Sequence, residues 1–128
     1  MRTLHLPAAA FLCLALTLPA AARDAHCTAA KSQVAALQAK LPIEVDAVTE
    51  TTAAAASCDD KKITLTRRVA LKQSRMESDF KDFLQKQDNQ SVCTDKGRRA
   101  LLDAGWTWSL SYTFQDGAPV TITASCDG

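Results

Sequence analysis

The sequence predicts an α+β domain in which helices cover one face of an antiparallel sheet. Apolar residues at helical spacing recur in the N-terminal and central parts of the chain, and period-two alternation follows each of these parts. No repeat or second hydrophobic unit is visible. We expect the order α-β-β-α-α-β-β: an N-terminal helix and two central helices on one face of a four-stranded antiparallel sheet made of two hairpins.

The start of the chain has the pattern of a signal peptide. Arg2 precedes an apolar run over residues 8–18, and small residues then lead to a predicted cleavage after Ala22, or one or two residues earlier. The run is shorter than the roughly 20 apolar residues that span a bilayer. We therefore predict a signal peptide, residues 1–22, and a single domain, residues 23–128, that is periplasmic or secreted and does not contact the membrane after cleavage.

The predicted mature domain carries no net charge. The chain has 15 Lys and Arg against 14 Asp and Glu, and removal of Arg2 with the signal peptide leaves 14 of each sign. A balanced domain provides no single-sign field that would recruit nucleic acid or an anionic membrane. We therefore expect no nucleic-acid partner.

The predicted domain retains four of the five cysteines. An even number in an exported chain indicates two disulfides. The four cysteines are Cys27, Cys58, Cys93 and Cys126. They form no Cys-x-x-Cys pair, which argues against a zinc site or thioredoxin-like redox chemistry.

The first half of the domain is predicted to be a helix followed by two strands. The helix ends before Pro42, and alternation over residues 43–47 and 63–71 predicts the strands, with a turn at residues 57–61. The stretch from Thr51 to Ala56 stays open between strand and helix, because its four alanines favour helix more than sheet.

Arg67 interrupts the pattern of the second strand, because it falls in phase with the apolar residues Leu65 and Val69. Three interpretations stay open. A β-bulge shifts the register there, or the aliphatic stem lies along the core edge with the guanidinium in water, or the arginine is buried and functional.

Two helices are predicted in the centre of the chain. Ser74 and Glu77 have the spacing of a capping box, which predicts a helix from Ser74 that frays near Asp88. Thr94 is predicted to cap a short third helix that ends at Gly105.

Two alternating segments near the C-terminus predict a hairpin. A three-residue loop places Tyr112 opposite Val120, whereas a two-residue loop would place Tyr112 opposite Thr121, an apolar residue against a polar one. The hydrophobic pattern therefore selects the longer loop, with Gly117 in its left-handed position.

No catalytic, cofactor or metal site is predicted, and we expect the protein not to be an enzyme. His26 is the one histidine of the predicted domain, and its neighbour Cys27 points to another side of the helix and is expected in a disulfide. Acid–base catalysis would need Glu44 or Asp46 to be buried, but both lie in the solvent-facing phase of their strand. No Gly-rich phosphate-binding loop is present.

Three features are candidate binding surfaces. Asp59 and Asp60 lie on the turn that follows Cys58. Trp106 lies at a strand end, where an exposed ring would anchor a ligand or partner. The polar face of the predicted sheet is rich in serine and threonine.

A series of short motifs runs through the chain in a fixed order: Leu41-Pro42, Val45-Asp46, Thr49, Asn89 to Cys93, Leu101, Gly105, Tyr112, Asp116-Gly117 and Cys126. In these residues the chain resembles the quorum-sensing-regulated virulence factors, a family of small exported proteobacterial proteins. The resemblance implies a single α+β domain with a Cys93–Cys126 disulfide, which leaves Cys27 to pair with Cys58. It supplies no active-site residues.

We expect from these observations a non-enzymatic interaction protein, associated with virulence, that binds an unidentified protein partner. One alternative is a periplasmic inhibitor or immunity protein that uses the loop of Asp59 and Asp60. The other is a small-molecule or glycan-binding module that uses Trp106 or the serine- and threonine-rich face.

Overall fold

The computed structural model describes residues 25–126. The predicted signal peptide, residues 1–22, and its cleavage site lie outside the described residues. Among the helices of the described range, none has the length and apolar character needed to cross a membrane.

The described residues form an α+β fold in which one helix precedes the first strand and two helices lie between the third and fourth strands of one sheet. The helices are α1 (residues 25–38), α2 (Phe80–Thr94) and α3 (Lys96–Asp103), with a 3-10 helix at Gln73–Arg75. The strands are β1 (Ile43–Asp46), β2 (Thr49–Ser57), β3 (Lys62–Val69), β4 (Thr107–Thr113) and β5 (Val120–Thr123).

The sheet differs in two ways from the predicted four-stranded antiparallel sheet. It has five strands in the order β1-β2-β3-β4-β5, and β3 runs parallel to β4 while the other neighbours are antiparallel. The parallel pair follows from the connection, because a chain that leaves β3 through two helices crosses back over the sheet and returns in the same direction. The additional strand is β2, which contains the alanine-rich stretch.

The alanine-rich stretch is a strand because its neighbours on both sides decide its conformation. β2 pairs with β1 and with β3, where Ala54 lies opposite Leu65 and Ala56 opposite Ile63. Ala54 is buried, and the Gln38 side-chain amide of α1 donates to its carbonyl oxygen at 2.8 Å. The small alanine side chains leave room for α1 to lie close over β2, so tertiary packing overrides their helix propensity.

The C-terminal hairpin has the predicted register. Leu110 pairs with Ile122 and Tyr112 with Val120. Gly117 has a φ of 78°, the left-handed conformation that the three-residue loop requires.

The core lies between the sheet and the helices. Its buried apolar residues include Ala30 and Val34 from α1, Leu84 and Val92 from α2, Leu101 from α3, and Ile63, Leu65, Trp108, Leu110 and Ile122 from the sheet. Thr66, Thr113, Thr121 and Thr123 have the opposite phase in their strands and are half-buried or exposed.

The boundaries of the central helices differ from the predictions. α2 begins at Phe80, not at Ser74, whose backbone N–H and hydroxyl donate instead to the Asp116 carboxylate at 3.1 and 2.6 Å. This long-range contact satisfies the groups that would otherwise have capped a helix. The N-cap of α3 is Asp95, which accepts from the Arg98 backbone N–H at 2.9 Å.

Two disulfides join the ends of the chain to the core elements, as the cysteine count predicts. Cys27 of α1 pairs with Cys58 after β2, and Cys93 of α2 pairs with Cys126 after β5. These are the pairs that the family resemblance implies.

Candidate functional site

An apolar groove of about 190 Å³ is the candidate functional site. In the described part of the chain, the exposed large hydrophobic side chains are Val45, Val48, Leu71 and Phe83. All four line this one groove. Scattered apolar residues are normal on a protein surface, whereas a contiguous set marks a contact surface.

The groove lies where the helical layer leaves the sheet uncovered. Its floor includes buried Val69 and Tyr112 from the sheet, and buried Leu84 of α2 forms part of its wall. At the opposite end of β2, α1 covers the sheet, as the bond from Gln38 to Ala54 shows. The groove is therefore a gap in the layer of helices.

The first turns of α2 hold the exposed rim of the groove in place. Phe80, Phe83 and Leu84 have the i, i+3, i+4 spacing of one helix face. Phe80 packs edge-on against Phe114 with the ring centroids 5.7 Å apart, and Leu84 is buried. Phe83 lies outside the contact between Phe80 and Phe114, and 65% of its surface is exposed.

A buried polar network lies beneath the groove. The Tyr112 hydroxyl lies 2.9 and 2.8 Å from the two carboxylate oxygens of Asp88 and donates to them. Arg67 Nη1 donates to the Tyr112 hydroxyl at 2.9 Å and to Asp88 Oδ1 at 3.2 Å. The Asp88 side chain is fully buried, and 11% of the Arg67 side chain is exposed.

A bulge in β2 keeps Arg67 in phase with the apolar residues of β3. The register shifts between Thr51 and Ala53, so the additional residue is in β2 and not in β3. Thr51 lies opposite Arg67, and its hydroxyl accepts from Arg67 Nε at 3.3 Å. Of the three interpretations left open for Arg67, the structure shows a largely buried guanidinium bonded to buried partners.

Burial dominates the electrostatics of this network. It raises the pKa of Asp88 above its ordinary value, although the hydrogen bond from Tyr112 and the charge of Arg67 act in the opposite direction. Burial also raises the pKa of the Tyr112 phenol, which therefore stays protonated as a donor at neutral pH.

The raised pKa of Asp88 predicts how stability depends on pH. The folded state holds this proton more tightly than the unfolded state, so the contribution of Asp88 is greatest below its unfolded pKa and falls as the pH rises through the folded pKa. We expect the free energy of unfolding of the wild type, minus that of Asp88→Asn, to decrease as the pH rises above about 4, by at most about 1.4 kcal/mol per pH unit, and to level off above the folded pKa of Asp88. Urea unfolding at each pH measures this difference in free energy. A difference that grows with pH would contradict the raised pKa of Asp88.

The predicted binding residues lie outside the groove. Asp59 and Asp60 are exposed on the turn between β2 and β3, where Ser57 Oγ lies 3.2 Å from Asp60 Oδ2. Trp106 is only 4% exposed and packs in the core, so its ring presents no anchoring surface. His26 is half-buried on α1.

Two features of the sequence pattern pointed in part to the site. Arg67 stood out by its phase, but nothing local identified its partners Asp88 and Tyr112, which are distant in the chain. Phe83 has the spacing of a core residue, and only the end of the helical layer exposes it.

A wider depression of about 400 Å³ lies near the groove and has a more polar lining that includes Glu44, Glu50 and Arg68. Arg68 and Glu50 form an ion pair with each other. Within residues 25–126, no group of three or more His, Cys, Asp and Glu side chains is placed to hold a metal ion.

Comparison with solved structures finds the same fold in three proteins. One is a protein of Pseudomonas aeruginosa described as secreted, with 18% identity and a TM-score of 0.64 over 79% of this chain and 89% of that one. The type II secretion pilotin EpsS of Vibrio vulnificus has 15% identity and a TM-score of 0.64 over 81% and 91%. The pilotin AspS of Vibrio cholerae has 18% identity and a TM-score of 0.64 over 84% and 94%.

The chain shares their fold. At these identities the likeness concerns the fold alone. No protein-family model matches the chain, and no curated protein matches it at a significant level. The resemblance to quorum-sensing-regulated virulence factors stays a prediction.

Proposed function

We propose that this chain is a non-enzymatic, exported accessory protein that binds an amphipathic segment of a protein partner in the apolar groove. The observation that carries the proposal is that Val45, Val48, Leu71 and Phe83, the exposed large hydrophobic residues of the described range, all line one groove. Apolar surface gains free energy when a partner removes it from water.

The place of the groove in the fold favours a helical segment. The groove is a gap in a layer of helices, so an amphipathic helix laid there with its apolar face on Val69 and Leu84 completes the layer. Helix-in-groove binding uses apolar residues at i, i+3, i+4 and i+7 as anchors. The partner segment is therefore expected to have this spacing.

The solved structures with the same fold support a role in secretion. Two are pilotins of type II secretion systems, and the third is described as secreted. We propose a comparable accessory role for this chain in the periplasm or outside the cell. Its two disulfides suit an oxidising compartment.

Site-specific photo-cross-linking tests the groove. A photoreactive amino acid replaces Phe83 in one variant and Thr121, exposed on the open face of the sheet, in a matched control. Each oxidised protein is incubated with native envelope extract, and the cross-linked peptide is identified by mass spectrometry. We expect one amphipathic segment attached at position 83 and no specific product from position 121. Specific products from position 121 alone would refute the groove assignment.

Phe83→Ser is expected to weaken binding of that segment about 5- to 30-fold while the fold remains intact. An aromatic side chain that a partner buries contributes about 1–2 kcal/mol, which corresponds to about a 5- to 30-fold change in Kd. Phe83 is 65% exposed in the free protein, so its replacement leaves the core intact. Fluorescence anisotropy of the labelled segment measures Kd, and thermal unfolding checks the fold. An unchanged Kd would exclude Phe83 from the interface.

A further inference from the structure

One nitrogen of the Arg67 guanidinium has no protein acceptor among the described residues. Its Nε donates to Thr51, and its Nη1 donates to Tyr112 and Asp88. Nη2 has no acceptor among the described residues. No buried side-chain nitrogen or oxygen in that range lacks a hydrogen-bond partner. Nη2 is therefore the part of Arg67 that keeps contact with solvent, and Arg67 lines the groove.

A partner that fills the groove removes water from this nitrogen. A charged donor that becomes buried without an acceptor opposes binding strongly. A wholly apolar segment would therefore be disfavoured at this position. Among protein acceptors, a carboxylate suits a guanidinium best, because the hydrogen bond is charge-assisted.

We propose that the bound segment carries a Glu or Asp side chain within its apolar face, and that this carboxylate accepts a hydrogen bond from Arg67 Nη2. The inference rests on the proposed function, since it identifies the chemistry of the segment that occupies the groove. Arg67 is prepared for this contact, because Thr51 holds Nε, and Tyr112 and Asp88 hold Nη1, before the partner arrives.

The charge around Arg67 supports a second carboxylate. Asp88 is the acidic group that contacts it, through Nη1 alone, and Asp88 also accepts from Tyr112. A carboxylate from the partner would complete the compensation when water leaves the groove.

Selection from a peptide library tests the inference. The library displays 16-residue amphipathic helices whose apolar-face positions are randomised over apolar residues, Glu and Gln, and it is selected on the oxidised wild-type protein. We expect Glu to be enriched at one apolar-face position. In a synthetic copy of the selected peptide, Glu→Gln should raise Kd by about tenfold to a hundredfold.

Two variants of the protein assign that effect to Arg67. In Arg67→Gln, the difference between the Glu and Gln peptides should fall below about threefold. Arg68→Gln is the matched control, because Arg68 is adjacent in the chain, is exposed and pairs with Glu50. It should retain the full difference. If Arg67→Gln does not fold, equal binding of the Glu and Gln peptides to the wild-type protein would still refute the inference.

The outcomes separate the two proposals. If the selected peptides bind the wild type and bind Phe83→Ser more weakly, but their Glu and Gln forms bind equally, the groove function stands and the role of Arg67 is refuted. If the library yields no peptide that binds the wild type, the proposed function fails and the inference fails with it. If sodium dodecanoate binds in a manner that requires Arg67 while no peptide does, the groove accepts a lipid carboxylate and the polypeptide partner is refuted.

Discussion

Replacing Asp88 with alanine should lower the free energy of unfolding by about 3–5 kcal/mol, the usual effect of removing one partner from a buried ion pair. The Asp88 side chain is fully buried, and its loss leaves the Tyr112 hydroxyl and Arg67 Nη1 without their shared acceptor. Alanine is the better helix former, so intrinsic propensity within α2 acts against the loss but is smaller. Urea unfolding followed by far-UV circular dichroism measures the change.

Removal of the whole network provides the control for this prediction. The triple variant Arg67→Met, Asp88→Leu, Tyr112→Phe replaces each polar side chain with an apolar one of similar size. Buried ion pairs exchanged for well-packed apolar residues are often neutral in stability. We therefore expect the triple variant to unfold within about 2 kcal/mol of the wild type. If Asp88→Ala itself lowers stability by less than about 1 kcal/mol, the network does not stabilise the fold and the buried contacts are misassigned.

The network also shows where sequence patterns reach their limit in this protein. Alternation predicted the register of the C-terminal hairpin because one residue of slip would turn Tyr112 away from the core. The same pattern recorded Arg67 only as an exception. Its explanation lies 21 and 45 residues further along the chain, in Asp88 and Tyr112, and no periodicity links these three positions.

The prediction that all neighbouring strands are antiparallel was wrong, because a crossover connection joins β3 to β4 and makes them parallel. Two helices between β3 and β4 provide the length that a parallel connection needs, and their presence was itself predicted from the sequence. The fraying expected at Asp88 was wrong for a related reason. Asp88 and Asn89 are weak helix formers, but burial against the sheet holds α2 together as far as Thr94.

The groove could not be predicted from the sequence because it exists only where no helix covers the sheet. Phe83 has the spacing of a core residue relative to Phe80 and Leu84. Its exposure depends on how far the helical layer extends, and α1 contacts β2 at Ala54 and contributes no residue to the groove. Helix position on a sheet is a tertiary property, so a residue at the margin of the helical layer has the same pattern as one beneath it.

Removal of either disulfide should lower the free energy of unfolding by about 4 kcal/mol, as the chain-entropy relation gives for loops of this length. The bridged residues are separated by 31 positions in Cys27–Cys58 and by 33 in Cys93–Cys126. Loop entropy therefore predicts nearly equal effects for the two double-serine variants. Urea unfolding of both variants, under identical conditions, measures them.

Contacts in the folded state give a reason for any difference between the two variants. After loss of Cys93–Cys126, the end of the chain is still tied to α2, because Gln85 donates to the Thr123 carbonyl and Asn89 accepts from the Ser125 N–H, both at 2.8 Å. If the two variants differ by more than about 2 kcal/mol, loop entropy does not decide the effect and native contacts of α1 or α2 do.

Loss of both disulfides should leave the domain close to unfolding. Small domains have a net stability of about 5–15 kcal/mol, and two losses of about 4 kcal/mol remove about half of the largest of these values and more than the smallest. We expect the reduced protein to show a broad, low-temperature transition in calorimetry and the oxidised protein a cooperative one. Such a result would mean that the fold, and with it the groove around Phe83, persists only in an oxidising compartment. If the reduced protein unfolds as cooperatively as the oxidised protein, the fold does not depend on the disulfides, and an oxidising compartment is not needed for it.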